Sequence, residues 1–299
     1  MCREPRMHSR CALTAPVEGK VVWSPVKSIW YSGFAITALL AGPLTWSWHT
    51  SLMSFSLTVI TLCAGHSVGL HRLLIHRSFK CPAWLERTLV TLGVFVGMGG
   101  PTKMIYLHEI RDWSQRKPKC HEFFIHQSSL LTDWWWNLHC DIMLKHPPLF
   151  CPEPEVSEDR YYRFLDRNWM LIQLPLAGLL FFVGGWPFVV WGICVRISLS
   201  LTGHWLVGFL AHNFGPRAWH LEGHSVQGHN VPGFGLLSMG EAWHNNHHAF
   251  PDSARFGIEH GQNDPGWWFL CTLRRLGLAW DLIEPQHLPP RPELHRILS

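Results

Sequence analysis

Charge is what this chain has least of. Lys, Arg, Asp and Glu make up 15% of its 299 residues and apolar residues 47%, whereas about a quarter charged is usual for soluble domains. From Ser28 to His71, and again from Asn168 to Val195, there is no charged side chain at all. Such stretches exceed the ~20 apolar residues that cross a bilayer as a helix, so a purely water-soluble reading is excluded for them. The nine cysteines form no CxxC pair, which argues against a disulfide framework and for reduced, cytosol-facing or membrane-buried thiols. A flavin or nicotinamide fingerprint and a CxxCH haem-attachment motif are missing too. No cleavable signal peptide is expected, because the first 27 residues are polar and mixed in charge. Their basic tract, Arg3, Arg6, Arg10, Lys20 and Lys27, fits a cytosolic N-terminal segment over 1–27.

What the chain does have is tryptophan and histidine, 18 and 21 residues respectively. Tryptophan favours the membrane–water interface. Pro43 and the Trp46-Ser47-Trp48-His49 stretch interrupt the first uncharged run, which predicts spans at 29–46 and 51–69 joined by a tight turn. Gly184-Gly185-Trp186-Pro187 interrupts the second, which predicts spans at 169–184 and 187–207. A shorter uncharged run, 88–102, ends in Gly99-Gly100-Pro101 and reads as a helix lying in the interface or against the bundle. Nearly all Lys and Arg lie outside these spans, so the positive-inside rule puts the N-terminus, 71–167 and the C-terminal third in the cytosol. The expected architecture is an all-α, multi-pass integral membrane protein. Its four transmembrane helices form two hairpins under a cytosolic helical cap, and 28–299 forms a single domain.

The histidines follow the same division. His244, His247 and His248 stand at i, i+3 and i+4, so in a helix their imidazoles leave one face. Convergent neutral imidazoles are what a first-row transition metal takes. His71 and His76 form a second pair, spaced by five, where the second span leaves the membrane. His108, His121, His126 and His212 would lie on the same side, while His49 sits in the opposite turn. A lone histidine on a helix is more often a satisfied polar residue than a ligand, and that reading stays open for His108, His121 and His126, as it does for His139, His224 and His229.

At this point the residues resemble a known family, the membrane-bound acyl-CoA desaturases of the stearoyl-CoA type, which carry an HxxxxH box, two HxxHH boxes and an isolated histidine. His71-x4-His76 followed by Arg77-Ser78-Phe79 resembles the first box. Glu241 followed by His244, His247 and His248, then Phe250-Pro251, resembles the last. Ala211-His212-Asn213-Phe214-Gly215 resembles the isolated histidine segment. The middle box departs: read after Arg111-Asp112, its three imidazoles become Trp113, Arg116 and Lys117, and Gly208 stands where the family places an asparagine.

The resemblance implies two iron ions, dioxygen as co-substrate and an external electron donor such as ferredoxin, rubredoxin or cytochrome b5. The metal ligands it implies are His71, His76, His212, His244, His247 and His248, with His108, His121 and His126 as candidates to replace the missing middle box. Glu241 is expected to orient a ligand through its free N–H. The implied reaction is desaturation of a fatty acyl chain, an acyl-CoA or acyl-lipid, that partitions into membrane lipid or a protein tunnel at about 0.8 kcal/mol per methylene. No nucleic-acid partner is expected. Two other readings stay open: a di-iron fatty acid or alkane hydroxylase, and a non-catalytic membrane protein that binds lipid or metal.

Overall fold

The computed structural model describes residues 5–297; residues 1–4, Arg3 among them, and 298–299 lie outside the described residues. Helix α1, Pro25–Ala41, starts with proline at its first position, where the missing N–H costs nothing. Helix α2, Trp48–Ile60, opens on a reciprocal cap in which Ser47 Oγ accepts from Thr50 N at 3.1 Å and Thr50 Oγ1 accepts from Ser47 N at 2.9 Å. From Thr61 to Ile75 the same helix continues as a π-helix.

That change of pitch matters for the site. Hydrogen bonds in a π-helix run from i to i+5, and here the N–H of His76 donates to the carbonyl of His71 at 2.9 Å. The chain therefore returns to the same side every five residues or so. His66, His71 and His76 come to lie in a row, with ring centroids 6.4 Å and 4.8 Å apart along it. In an α-helix the same spacing would point His71 and His76 well apart.

Helix α3, Ala83–Val94, is the buried counterpart expected for the short uncharged run. It crosses the π-helix at Gly65 and Gly69. A Cβ on Gly65 would lie 2.3 Å from the Leu92 carbonyl carbon, and one on Gly69 would lie 2.5 Å from the Leu89 oxygen. Gly65→Ala is therefore expected to lower the thermal midpoint in detergent by an overpacking cost of about 1–3 kcal/mol. Gly33→Ala on α1, where nothing lies within 4 Å, should be neutral or stabilising by about 0.5–1 kcal/mol. Equal midpoints for the two variants would refute the close crossing.

Four helices follow: α4 Pro101–Gln115, α5 Leu130–His139, the single turn α6 Pro154–Ser157 and α7 Arg160–Asn168. Next come α8 Gln173–Val189, a short π-helical passage over Val190–Val195 and α9 Arg196–Asn213. The long helical stretch is kinked at Gly184 and Gly185, the latter with φ +67. Helix α10 is His244–Ala249 and α11 is Pro265–Arg275. Among the described residues two helical stretches are long and apolar enough to cross a membrane, Trp48–Ile75 and Gln173–Asn213.

The fold is mostly helical, as expected, with three short strand pairs added to the helices. Strand pairs β1 Met7–His8 with β4 Leu149–Phe150, β2 Ala15–Trp23 with β3 Cys140–His146, and β5 Trp219–Leu221 with β6 Leu294–Arg296 are all antiparallel. From residue 5 on, the N-terminal segment is consequently part of the cap. Arg6, only 4% exposed, donates to the carbonyls of Leu74 at 3.2 Å and Ile75 at 2.9 Å, closing the open end of the π-helix. It is held there by Glu109 at 3.0 Å and Glu153 at 2.8 Å.

Candidate metal centre

Two groups of histidines converge beneath this cap. His71, His76, His108 and His247 bring one ring nitrogen each to within 4.8 Å of one another, and His212, His244 and His248 do the same. The π-helix supplies His71 and its C-cap residue is His76, α4 supplies His108, α9 supplies His212, and α10 divides its three histidines between the groups. The i, i+3, i+4 cluster is thus not one half of a pair: His247 turns to one side, His244 and His248 to the other.

Helix α10 is too short to hold itself in place. Its opposite face is tied down by two buried asparagines that alternate with the histidines. Asn245 donates to the carbonyls of Trp219 and Gly228, both at 2.9 Å, and accepts from the N–H groups of Ala218 and Trp219. Asn246 donates to Phe256 O and Gln262 Oε1, both at 2.8 Å.

The chemistry of the donor set fits a metal. His71 Nδ1–H donates to Glu241 Oε2 at 2.5 Å, which leaves the lone pair on Nε2. That atom lies 3.1 Å from His108 Nε2, which is itself 3.3 Å from His76 Nε2. In the other group His212 Nδ1–H donates to Gly208 O at 2.7 Å. Its Nε2 lies 3.3 Å from His244 Nε2, and His248 Nε2 lies 2.9 Å from the same atom. A neutral imidazole carries one proton, so contacts converging on a single nitrogen cannot all be hydrogen bonds. Nitrogens bound at ~2.1 Å to one ion stand ~3.0–3.4 Å apart in tetrahedral or octahedral arrangement, close to the spacings seen.

Electrostatics favour the same state. Burial lowers His108 to about 3 and His248 to about 4, and burial holds His244 and His247 well below the ordinary imidazole value. These rings are neutral at pH 7, with their lone pairs available. Burial alone would raise the Glu241 carboxyl, but the facing His71 and Arg72 more than offset it and hold the group far below the usual range. Ser67 Oγ donates to its other oxygen at 2.5 Å.

Outside the two groups the remaining candidates have other partners. His121 Nδ1 accepts from Phe123 N at 3.1 Å and caps a turn. His126 stacks on His212 at 4.9 Å, but its Nδ1 faces the Asp133 carboxylate at 3.0 Å and its Nε2 faces Arg111. His139 lies against Trp135 and Ser28, and half-buried His229 bonds Gly215 O. His49 is on α2 beside Trp48, away from both groups.

The middle box has to be re-registered. With His108 in the first group, positions 108, 111 and 112 repeat the 0, +3, +4 spacing of 244, 247 and 248, so Arg111 and Asp112 stand where imidazoles would. Trp113, Arg116 and Lys117 have other roles: Arg116 pairs with Asp112 at 2.9 Å and Lys117 lies over the Trp113 ring. The sequence reading also missed Gln115, whose Nε2 donates to Phe124 O at 2.7 Å and lies 3.2 Å from His212 Nε2. Its place seven residues, two helical turns, beyond His108 was the available signal.

No family model matches the chain. Curated proteins do. It is 36% identical over 260 residues to an sn-1 stearoyl-lipid 9-desaturase of Anabaena variabilis, covering 85% of this chain and 92% of that one. With the sn-1 stearoyl-lipid 9-desaturase of Synechocystis it shares 34% over 283 residues, 92% of this chain and 84% of the relative. With an acyl-CoA C20 Delta5-desaturase of Anemone leveillei it shares 32% over 268 residues, 88% and 83% of the two chains.

Proposed function

The chain belongs to the membrane fatty acid desaturase family and is an oxidoreductase; from that premise we propose that it forms a cis double bond between adjacent methylenes of a fatty acyl chain, carried on a lipid or on CoA, at two irons. The observation that carries this reading is the pair of adjacent histidine groups sharing α10, with nitrogens spaced as ligands of one ion each. We assign His71, His76, His108 and His247 to one iron and His212, His244 and His248 to the other. Iron bound there supplies the dioxygen activation that removal of hydrogen from an unactivated methylene requires. The balance is two hydrogens from the acyl chain, two electrons and two protons, reducing dioxygen to two waters.

The chain's own residues prepare the site. Glu241 fixes the tautomer of His71 by taking its Nδ1–H, and the Gly208 carbonyl does the same for His212, so both Nε2 lone pairs face inward. Electrons come from a separate carrier of the ferredoxin, rubredoxin or cytochrome b5 kind.

Membrane placement follows from surface chemistry. Large apolar side chains stand exposed along α1, α2 and α8, among them Leu39 at 75% and Phe182 at 88%, which lipid would cover. Exposed Trp46, Trp48 and Trp186 sit at the two turns, where an aromatic belt meets the far interface. Helices α1, α2 with its π-helical continuation, α8 to its kink, and the stretch beyond it are the four spans in this reading. The charged cap, and with it the histidines, faces the cytosol, and residues 28–299 with the N-terminal strands form one domain.

Expression in a host that makes saturated acyl chains, followed by fatty-acid analysis, tests the reaction. A new cis-monoene that disappears without oxygen is the expected result. A hydroxylated chain with no alkene would replace desaturation by hydroxylation. No oxygen-dependent product from folded protein supplied with a reductase would overturn both.

A further inference from the structure

Two further histidines lie beside the metal centre on its membrane side. His66 stands five residues before His71 on the π-helix, and the two rings stack with centroids 6.4 Å apart. His204 stands eight residues before His212 on the same face of α9, and its ring meets His66 edge-on at 4.8 Å. We propose that this pair is a polar notch in the acyl path and binds a hydroxyl carried by the acyl chain, a few carbons from the methylenes that react. The proposal deepens the desaturase reading and rests on it.

The pair is short of partners. His66 is 7% exposed, and its Nδ1 is buried without a hydrogen bond. Among the described residues no group hydrogen-bonds to either ring. An uncharged imidazole carries one N–H and one lone pair, so two donors and two acceptors stand together with nothing to meet them. Such groups inside a membrane span are costly, and where they occur they mark the path of a ligand.

Open space adjoins them. His204 is exposed, yet its ring lies in the field of His66, Glu241, His71 and Arg111, the groups about the metal centre. Between His204 and His212 the helix carries Gly208, where a Cβ would meet nothing nearer than His126 Nε2 at 3.9 Å. That face of α9 is therefore open from His204 to His212, and a chain drawn from lipid toward the histidine groups passes the pair. An ion or proton path would need polar groups to continue toward the far side. Along the helix that carries His66, however, the hydroxyls of Thr61, Thr58 and Ser54 each donate to a backbone carbonyl, at 2.8, 2.7 and 2.9 Å. A hydroxyl on the chain suits the pair because it donates to one lone pair and accepts from one N–H. A plain methylene leaves both rings unmet, which is how a site built to bond a hydroxyl rejects the analogue that lacks it.

The test is equilibrium binding to the iron-loaded protein in detergent without oxygen, so that nothing turns over. The probes are octadecanoyl chains, plain or bearing one hydroxyl or one keto group at successive carbons, each as the CoA thioester and as a phosphatidylcholine ester. In wild type a narrow run of hydroxyl positions should bind tighter than the plain chain by about tenfold or more, with the keto chains in between. His66→Leu combined with His204→Leu should erase the preference and bind the plain chain at least as well as wild type does. His204→Leu alone, at the exposed member, should lose part of the preference and keeps the test available if the double variant does not fold. His66→Gln, which retains a donor and an acceptor, should keep part of it. Equal affinity for plain and hydroxylated chains at every position would overturn the proposal and leave desaturation intact. A preference that survives the leucine substitutions unchanged would also overturn it. Failure of every probe to bind, the plain chains included, would overturn the desaturase reading and the proposal with it.

Discussion

His71→Ala should abolish product formation and empty the four-histidine group. Removing only the outer partner of a metal-bound histidine typically costs ~10–100-fold in affinity or activity, so loss of the ligand itself should exceed about 100-fold. Three facts make His71 the severest single loss. Its Nε2 lies 3.1 Å from His108 Nε2, its ring packs 4.7 Å from that of His247, and its Nδ1–H is the donor that Glu241 holds. Removing it also leaves the Glu241 carboxylate facing Ser67 and Arg72 alone. The measurement is iron per chain beside fatty-acid analysis, on protein shown by size-exclusion chromatography to be folded. His244→Ala should act in the same way on the three-histidine group. His121→Ala, whose ring only caps a turn, should leave iron content and product unchanged. Retention of both irons in His71→Ala would refute the assignment.

Arg72→Leu should cause the largest loss of stability. The guanidinium is fully buried and joins the π-helix to the C-terminal region. It donates to Asp264 Oδ1 at 2.8 Å and to Ala254 O at 2.8 Å, bonds Ser67 Oγ, and lies 3.9 Å over the Phe256 ring. Asp264 in turn receives the N–H groups of Phe256, Gly257 and Trp267. Leucine would fill part of the space but leave that carboxylate buried and unpaired, at a cost of about 3–5 kcal/mol. The thermal midpoint in detergent reports it. Because most of the penalty is the stranded charge, Arg72→Leu combined with Asp264→Asn should recover part of the loss. A double variant no more stable than the single would refute that account. Activity should fall as well, since Phe256 packs against both His71 and His247.

The sequence made some parts of this arrangement legible and hid others for physical reasons. Spacing at 3 and 4 in His244, His247 and His248 is a helical signal, and the three do fall on α10. It could not say that the three would part between two groups, because that depends on which elements face α10 across the cap. His71 and His76 stood out by composition, but their common face depends on a π-helical hydrogen-bond pattern that spacing alone does not reveal. In the middle box only His108 keeps an imidazole, so with Arg111 and Asp112 at its +3 and +4 positions the offset is hidden in the sequence. Strand β2 was missed since its partner β3 lies more than a hundred residues away, and a two-stranded ribbon leaves little periodicity of its own. The uncharged runs, by contrast, depend only on local composition. The helices fall there, with ends shifted by a few residues.

The division of α10 between the two groups also orders events on the ribosome. His71, His76 and His108 are made early, yet the four-histidine group lacks a member until residue 247 has emerged, and the other group waits for residue 248. During translation the apolar hairpins can insert while neither group is complete. A chain that ends before residue 247 completes neither group, so any metal the two groups hold would be loaded only after the C-terminal third has been made.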